Sequence, residues 1–197
     1  NRDNKYYYEF FYRIIANANK IIAEIDQADG EAAMRQYIKG QALAYRAFAY
    51  FNLVQMYGKR YVNGQDNTQP GVILRTDDSH ENKPRATVEE VYKQVNQDLD
   101  EAIRLLSECG VERANKSHIN QAVAMGLKTR VLLTQGKWNE AADMADQCIT
   151  ASGATLDDNT YVTTDYRMSS ANSSEWIWTP WPWARRRAHT PTRRTTR

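Results

Sequence analysis

Cysteine, histidine and proline are scarce in this chain: two, three and five in 197 residues. Cys109 and Cys148 are too few and too isolated for a zinc site or a disulfide framework. Cys148 falls in a helical apolar pattern and reads as a small core residue, and neither cysteine stands near the N-terminus, where a lipid-anchor cysteine would be. His80 lies in a loop, His118 at a helix start and His189 in the C-terminal tail, an arrangement that offers neither a base nor a metal ligand. No window approaches 18 uninterrupted apolar residues, which excludes a membrane-spanning helix in the pattern. Asn1-Arg-Asp-Asn-Lys5 has no apolar signal-peptide core; the expectation is a cytoplasmic chain or one whose leader has been removed. A Gly-rich phosphate loop, His-Glu-x-x-His and Gly-x-Ser-x-Gly are all missing. The acid pairs Asp77-Asp78 and Glu89-Glu90 read as a loop and as a first helical turn that favours negative charge, not as a catalytic dyad. The residues therefore predict no enzyme, no metal and no cofactor.

Charge is unevenly spread. Residues 185–197 hold six arginines and no acid; removing those six from 26 bases leaves 20 against 24 acids, so the body is near −4. The overall +2 is not that of a uniformly basic protein. Arg185-Arg-Arg187 beside Trp181 and Trp183 has the composition of a phosphate or membrane-surface contact. A translation artefact or a disordered tail accounts for it better, and no nucleic-acid partner is expected.

What is present is helical periodicity. A first helix is predicted over about Asp3–Ala28, with Tyr8, Phe11, Tyr12, Ile15, Ala18, Ile22 and Ile25 as its stripe and Asp29-Gly30 as its stop. A second runs over about Glu31–Tyr57, where Leu43, Ala47, Tyr50, Phe51 and Val54 recur at i, i+4, i+7, i+8 and i+11. Gly58 stands where a left-handed C-cap is expected. The long connection 58–86 carries glycine and proline, includes a short extended piece at Val72-Ile73-Leu74, and is of a length often found in functional loops. Thr87-Val-Glu-Glu90 is a capping box opening a third helix, with stripe Val91, Val95, Leu99, Ala102 and Leu106 and a stop at Gly110. A fourth helix is predicted from near Ser117 to Thr134, and a fifth from Trp138 to about Ala151. The last pair, with its Gln135-Gly136-Lys137-Trp138 turn and small Ala141, Ala142 and Ala145, has the pattern of a tetratricopeptide unit. The fold class expected is all-α, a tetratricopeptide-like helical array, with short extended segments after about residue 154. The expected organisation is a helical-repeat region over 1–153, the start of a mixed region with strands over 154–178, and a structureless basic tail over 179–197.

Several segments carry a resemblance. Gly40-Gln-Ala followed by Arg46-Ala47, then Tyr50, Leu53 and Tyr57-Gly58, closely resembles the central helix of the SusD/RagB family. Tyr12-Arg-Ile-Ile-Ala-Asn-Ala-Asn-Lys-Ile-Ile22 is similar to that family's early helix. Arg85, Val88 to Tyr92 and Asp98-Leu-Asp-Glu-Ala102 resemble its next segment, Leu127 to Trp138 its tryptophan turn, and Glu175-Trp-Ile-Trp178 a following strand. The ordered set spans about residues 6–178, as in the N-terminal helical part of a longer protein. Residues 179–197 match nothing in the family, and an out-of-frame translation is the explanation we favour for them.

The resemblance implies a non-catalytic, glycan-binding outer-membrane lipoprotein. It would hand an oligosaccharide to a TonB-dependent, SusC-like transporter, its only membrane contact a lipid anchor that this chain does not carry. The alternative is a helical-repeat adaptor binding a peptide or protein. Sugar recognition needs flat aromatic faces for C–H surfaces and amides for hydroxyls, which makes Tyr6, Tyr7, Asn63 and Asn67 the candidate ligand-binding residues. Arg46, near an apolar stripe, is expected to form a structural ion pair or a carbonyl clamp between helices, and Asn19, on the first helix's stripe, to hydrogen-bond a neighbouring helix or loop, since a buried amide must be satisfied. Gly58 and Trp138 complete the structural set.

Overall fold

The computed structural model describes residues 2–77 and 81–154. Five α-helices carry the chain: α1 Arg2–Glu24, α2 Ala32–Tyr57, α3 Val88–Glu108, α4 Gln121–Gln135 and α5 Trp138–Ser152. Each packs on its neighbour in sequence, α1 on α2, α2 on α3, α3 on α4 and α4 on α5; short links favour the first and last of these pairings. The all-α array expected from periodicity is the observed fold. The extended segments and basic tail expected after residue 154 lie outside the described residues.

Helix ends differ from expectation in three places, each with a local cause. α1 stops at Glu24 and tightens into the single 3-10 turn Ile25–Gln27 before Gly30, which has φ +128°. α4 starts at Gln121 rather than near Ser117. Asn120 is its cap, accepting from the Val123 N–H at 3.1 Å, while Asn115 folds the preceding residues into a turn through Ser117 and His118. Gly58 does not adopt the left-handed cap: φ −98° and ψ 172° are extended. A glycine is needed there for space instead, since a Cβ would fall 2.7 Å from the Val54 carbonyl oxygen. The capping box forms as expected, with Thr87 Oγ1 accepting from Glu90 N and Glu90 Oε2 accepting from Thr87 N at 2.7 Å. The Thr87 N–H and hydroxyl, both donating to it, hold the Glu90 carboxyl below the usual carboxylate range.

α2 is the central element. Its buried residues run from Tyr37 to Val54, and α1, α3 and the connection cover it. One core cluster gathers Ile15, Tyr50, Leu53, Val54, Val91, Val95 and Leu99; another gathers Leu43, Ala44, Ala102, Leu105, Leu106 and Cys109 around the far half of the same helix. Apolar area removed from water on this scale is the main stabilising contribution.

A polar network runs through the first cluster. Arg46 donates from Nε to Asp98 Oδ2 at 2.8 Å and from Nη2 to Asp98 Oδ1 at 2.7 Å, a two-pronged buried pair between α2 and α3. Its third arm, Nη1, donates to Asn19 Oδ1 on α1 at 2.9 Å. Asn19 Nδ2 in turn donates to the carbonyls of Arg75 and Asp77 at 2.8 and 2.9 Å. Tyr50 Oη donates to the Arg75 carbonyl at 2.6 Å and accepts from the Arg75 N–H at 2.7 Å, and Tyr12 Oη donates to the Ile73 carbonyl at 2.8 Å. Residues 73–77 are thus strapped to α1 and α2 by side chains, and no strand is needed to hold them. The expected extended piece at 72–74 is irregular backbone; among the described residues the one β-type contact is an isolated antiparallel bridge, Pro70 to Thr87. Burial pushes the Tyr50 phenol up to about 12 and the Tyr12 phenol well above its ordinary value.

Candidate functional site

Up-and-down packing brings three helix starts and two helix ends to one end of the array. The Tyr57 hydroxyl, at the close of α2, reaches the Asn4 carbonyl at 2.5 Å, and Arg85 Nη2, just before α3, reaches the Tyr57 carbonyl at 2.8 Å. Asn63, in the loop after α2, donates from Nδ2 to the Gly136 carbonyl between α4 and α5 at 3.1 Å. Every residue assigned to ligand contact in the sequence therefore lies at this end.

The residues divide sharply there. Tyr6 is 64% exposed and Tyr7 43% on the first turns of α1. Tyr6 lies nearly parallel to Phe10, one turn on, with ring centroids 6.3 Å apart and 14° between planes; Tyr7 meets Tyr6 edge-on at 5.6 Å. Tyr8, by contrast, turns inward and packs against Tyr12 and Tyr57 at 4.5 and 5.4 Å. Asn63 is exposed.

Asn67 is a correction. It is 2% exposed, takes a left-handed φ of 46°, accepts from the Val62 N–H at 2.8 Å and donates to the carbonyls of Val62 and Gln65 at 3.0 and 2.8 Å. An amide whose donors and acceptor close its own loop has nothing left for a sugar; Asn67 builds the loop that presents Asn63.

Trp138 is 66% exposed at the first residue of α5. With Asn63, Gly136, Lys137, Asn139 and Glu140 it lines an open hollow of about 350 Å³. Gly136 makes the turn in the left-handed conformation, φ 73°, and a Cβ there would come within 3.4 Å of Asn63. Lys137 and Glu140 are 3.7 Å apart on the rim, so their charges offset each other. Behind this turn, Asn96 Nδ2 donates to Gln135 Oε1 at 3.0 Å, and burial together with Glu89 raises the Tyr61 phenol. Among the described residues no group of three or more His, Cys, Asp or Glu side chains is placed to hold a metal, and no helix is long and apolar enough to cross a membrane.

Two residues have roles that the sequence pattern left unassigned, Asp98 as the partner of Arg46 and Phe10 as the ring beside Tyr6. Asp98 lies seven residues after Val91, on the same stripe that Val91, Val95 and Leu99 define, so an acid at that position already marks a buried partner for Arg46. Phe10 falls between two stripe positions on the exposed side of α1, and its pairing with Tyr6 at i, i+4 is visible in the spacing.

The SusD-like family, described as starch-binding and associating with the outer membrane, matches residues 1–133. A SusD-like carbohydrate-binding protein from Bacteroides vulgatus is 30% identical over 80% of this chain and 33% of its own, with a TM-score of 0.69. A SusD superfamily protein from Bacteroides thetaiotaomicron is 27% identical over 79% of this chain and 34% of its own, with a TM-score of 0.70. A laminarin-binding SusD-like protein is 26% identical over 73% of this chain and 29% of its own, with a TM-score of 0.60. The chain spans about a third of the length of these solved structures. No curated protein matches it.

Proposed function

Since the chain belongs to the SusD-like family, we propose that it serves as a non-catalytic, glycan-binding scaffold in an oligosaccharide uptake system at the bacterial outer surface. The observation that carries this reading is the gathering of Tyr6, Tyr7 and Asn63 at one end of the array, with rings exposed and an amide in reach of solvent. Exposed rings offer faces to the C–H surfaces of a pyranose, and amides offer paired donors and acceptors to its hydroxyls. The family's association with the outer membrane, and the carbohydrate binding of the similar structures, support the ligand class and the location. A TonB-dependent, SusC-like transporter is the partner to which the glycan passes, and the stacked helical surface is the face suited to hold it. Anchoring to the membrane is by lipid, and no glycosidic bond is broken.

Isothermal titration of the 197-residue chain with neutral poly- and oligosaccharides tests this. Saturable binding that weakens about tenfold in Tyr6→Ala/Tyr7→Ala, with no release of reducing ends, is expected. Absence of binding across the panel would overturn it.

The outward face of α5 favours a second reading, a helical-repeat adaptor for a peptide or protein. Only Ala141 of that helix is buried, while Ile149 is 59% exposed. Peptide capture without any glycan binding would favour that reading.

A further inference from the structure

The hollow between the loop after α2 and the start of α5 joins a residue read as ligand-binding, Asn63, to one read as structural, Trp138. We propose that this hollow is a saccharide subsite that takes a short, uncharged stretch of glycan, with the Trp138 indole as its stacking face. The proposal rests on the glycan-binding reading above and assigns it a specific place.

Four observations carry it. The indole is two-thirds in solvent at 66% exposure although it belongs to a helical pair whose other side is packed. A flat ring held at a helix start and left uncovered is a face for the C–H side of a pyranose. Opposite it stands Asn63, whose Nδ2 is committed to the Gly136 carbonyl at 3.1 Å, which fixes the amide and leaves Oδ1 to accept from a sugar hydroxyl. The volume of about 350 Å³ is at the small end of small-molecule sites, which run from roughly 300 to 1,000 Å³. It holds one or two sugar rings, not a long chain. Finally, Lys137 and Glu140 sit 3.7 Å apart on the rim. Their offsetting charges give no net attraction for a sulfate or uronate, so a neutral glycan is favoured.

The experiment compares the full chain with Trp138→Ala, Trp138→Tyr and Asn63→Ala, titrated by calorimetry with neutral oligohexoses and with their sulfated counterparts. Circular dichroism verifies that each variant is folded, which is expected for changes at exposed positions. The expected result is binding of the neutral ligand that weakens about tenfold in Trp138→Ala and recovers in part in Trp138→Tyr, with Asn63→Ala about threefold weaker and the sulfated ligand no tighter. If glycan binds with undiminished affinity to Trp138→Ala but is lost in Tyr6→Ala/Tyr7→Ala, the hollow is not the subsite and the glycan-binding reading stands. If the unaltered chain binds no glycan at all, both fall. Tighter binding of the sulfated ligand would overturn the assignment to neutral sugars.

Discussion

α2 and α5 are both amphipathic helices of one chain, yet they have opposite fates. α2 is enclosed by α1, α3 and the strapped connection, with twelve buried residues including Arg46; among the described helices α5 packs chiefly on α4 and buries only Ala141. Both position and composition differ: α5 carries Glu140, Asp143 and Asp146, whereas α2 has no acid. A helix with neighbours on both sides must satisfy every group it carries, down to a guanidinium with three side-chain hydrogen bonds. A helix at the edge leaves its aromatic and aliphatic residues to meet a ligand or a further segment. The interior helix accounts for the stability of the fold, and the edge helix and its preceding turn are where recognition has room to occur.

The sharpest way to break the comparison is to remove one partner of the buried pair. Asp98→Ala leaves the Arg46 guanidinium uncompensated and is expected to cost about 3–5 kcal/mol in chemical denaturation, enough to unfold much of a marginal domain. Next comes Tyr50→Phe, which strips the Arg75 N–H and carbonyl of their shared hydroxyl; about 1–3 kcal/mol is expected by the same measurement. Thr87→Ala, which removes the cap of α3, is expected to cost about 1 kcal/mol. At the other extreme, Ile149→Ala on the edge helix should change stability by no more than about 0.5 kcal/mol. A loss at Ile149 equal to that at Tyr50 would erase the distinction.

Titration sharpens the same contrast. Tyr50 and Tyr92 are both pushed up to about 12 by burial in the interior. In the unfolded chain a tyrosine ionises near pH 10, so above that pH the folded state holds protons that the unfolded state releases. Stability is therefore expected to be fully present below about pH 10 and to fall as pH rises toward 12, with tyrosinate absorbance from these rings appearing only as the chain unfolds.

Periodicity made the helices legible because stripes of Leu, Val, Ile and aromatic residues repeat at helical spacing, and α1 to α5 follow it. The motif order around Gly40–Gly58 made the family legible as well. Less was visible where a residue's role depends on a partner distant in sequence. Asn67 and Asn63 have the same side chain in the same loop, and only the fold buries one and exposes the other. Gly58 has the right residue type for a left-handed cap, but the chain leaves α2 in an extended path and needs the glycine for clearance from Val54. Trp138 reads as a packing residue by analogy with repeat units. Its 66% exposure at the first residue of α5 is set by the three-dimensional turn, which no local pattern encodes.

The decisive measurement is hydrogen exchange of the full chain with and without a neutral oligosaccharide. Slow exchange is expected in the middle of α2 and α3 in both states, with new protection on glycan addition confined to residues 60–67, 136–140 and the start of α1. Protection that appears elsewhere, or none at any glycan concentration, would refute a glycan site at this end of the array.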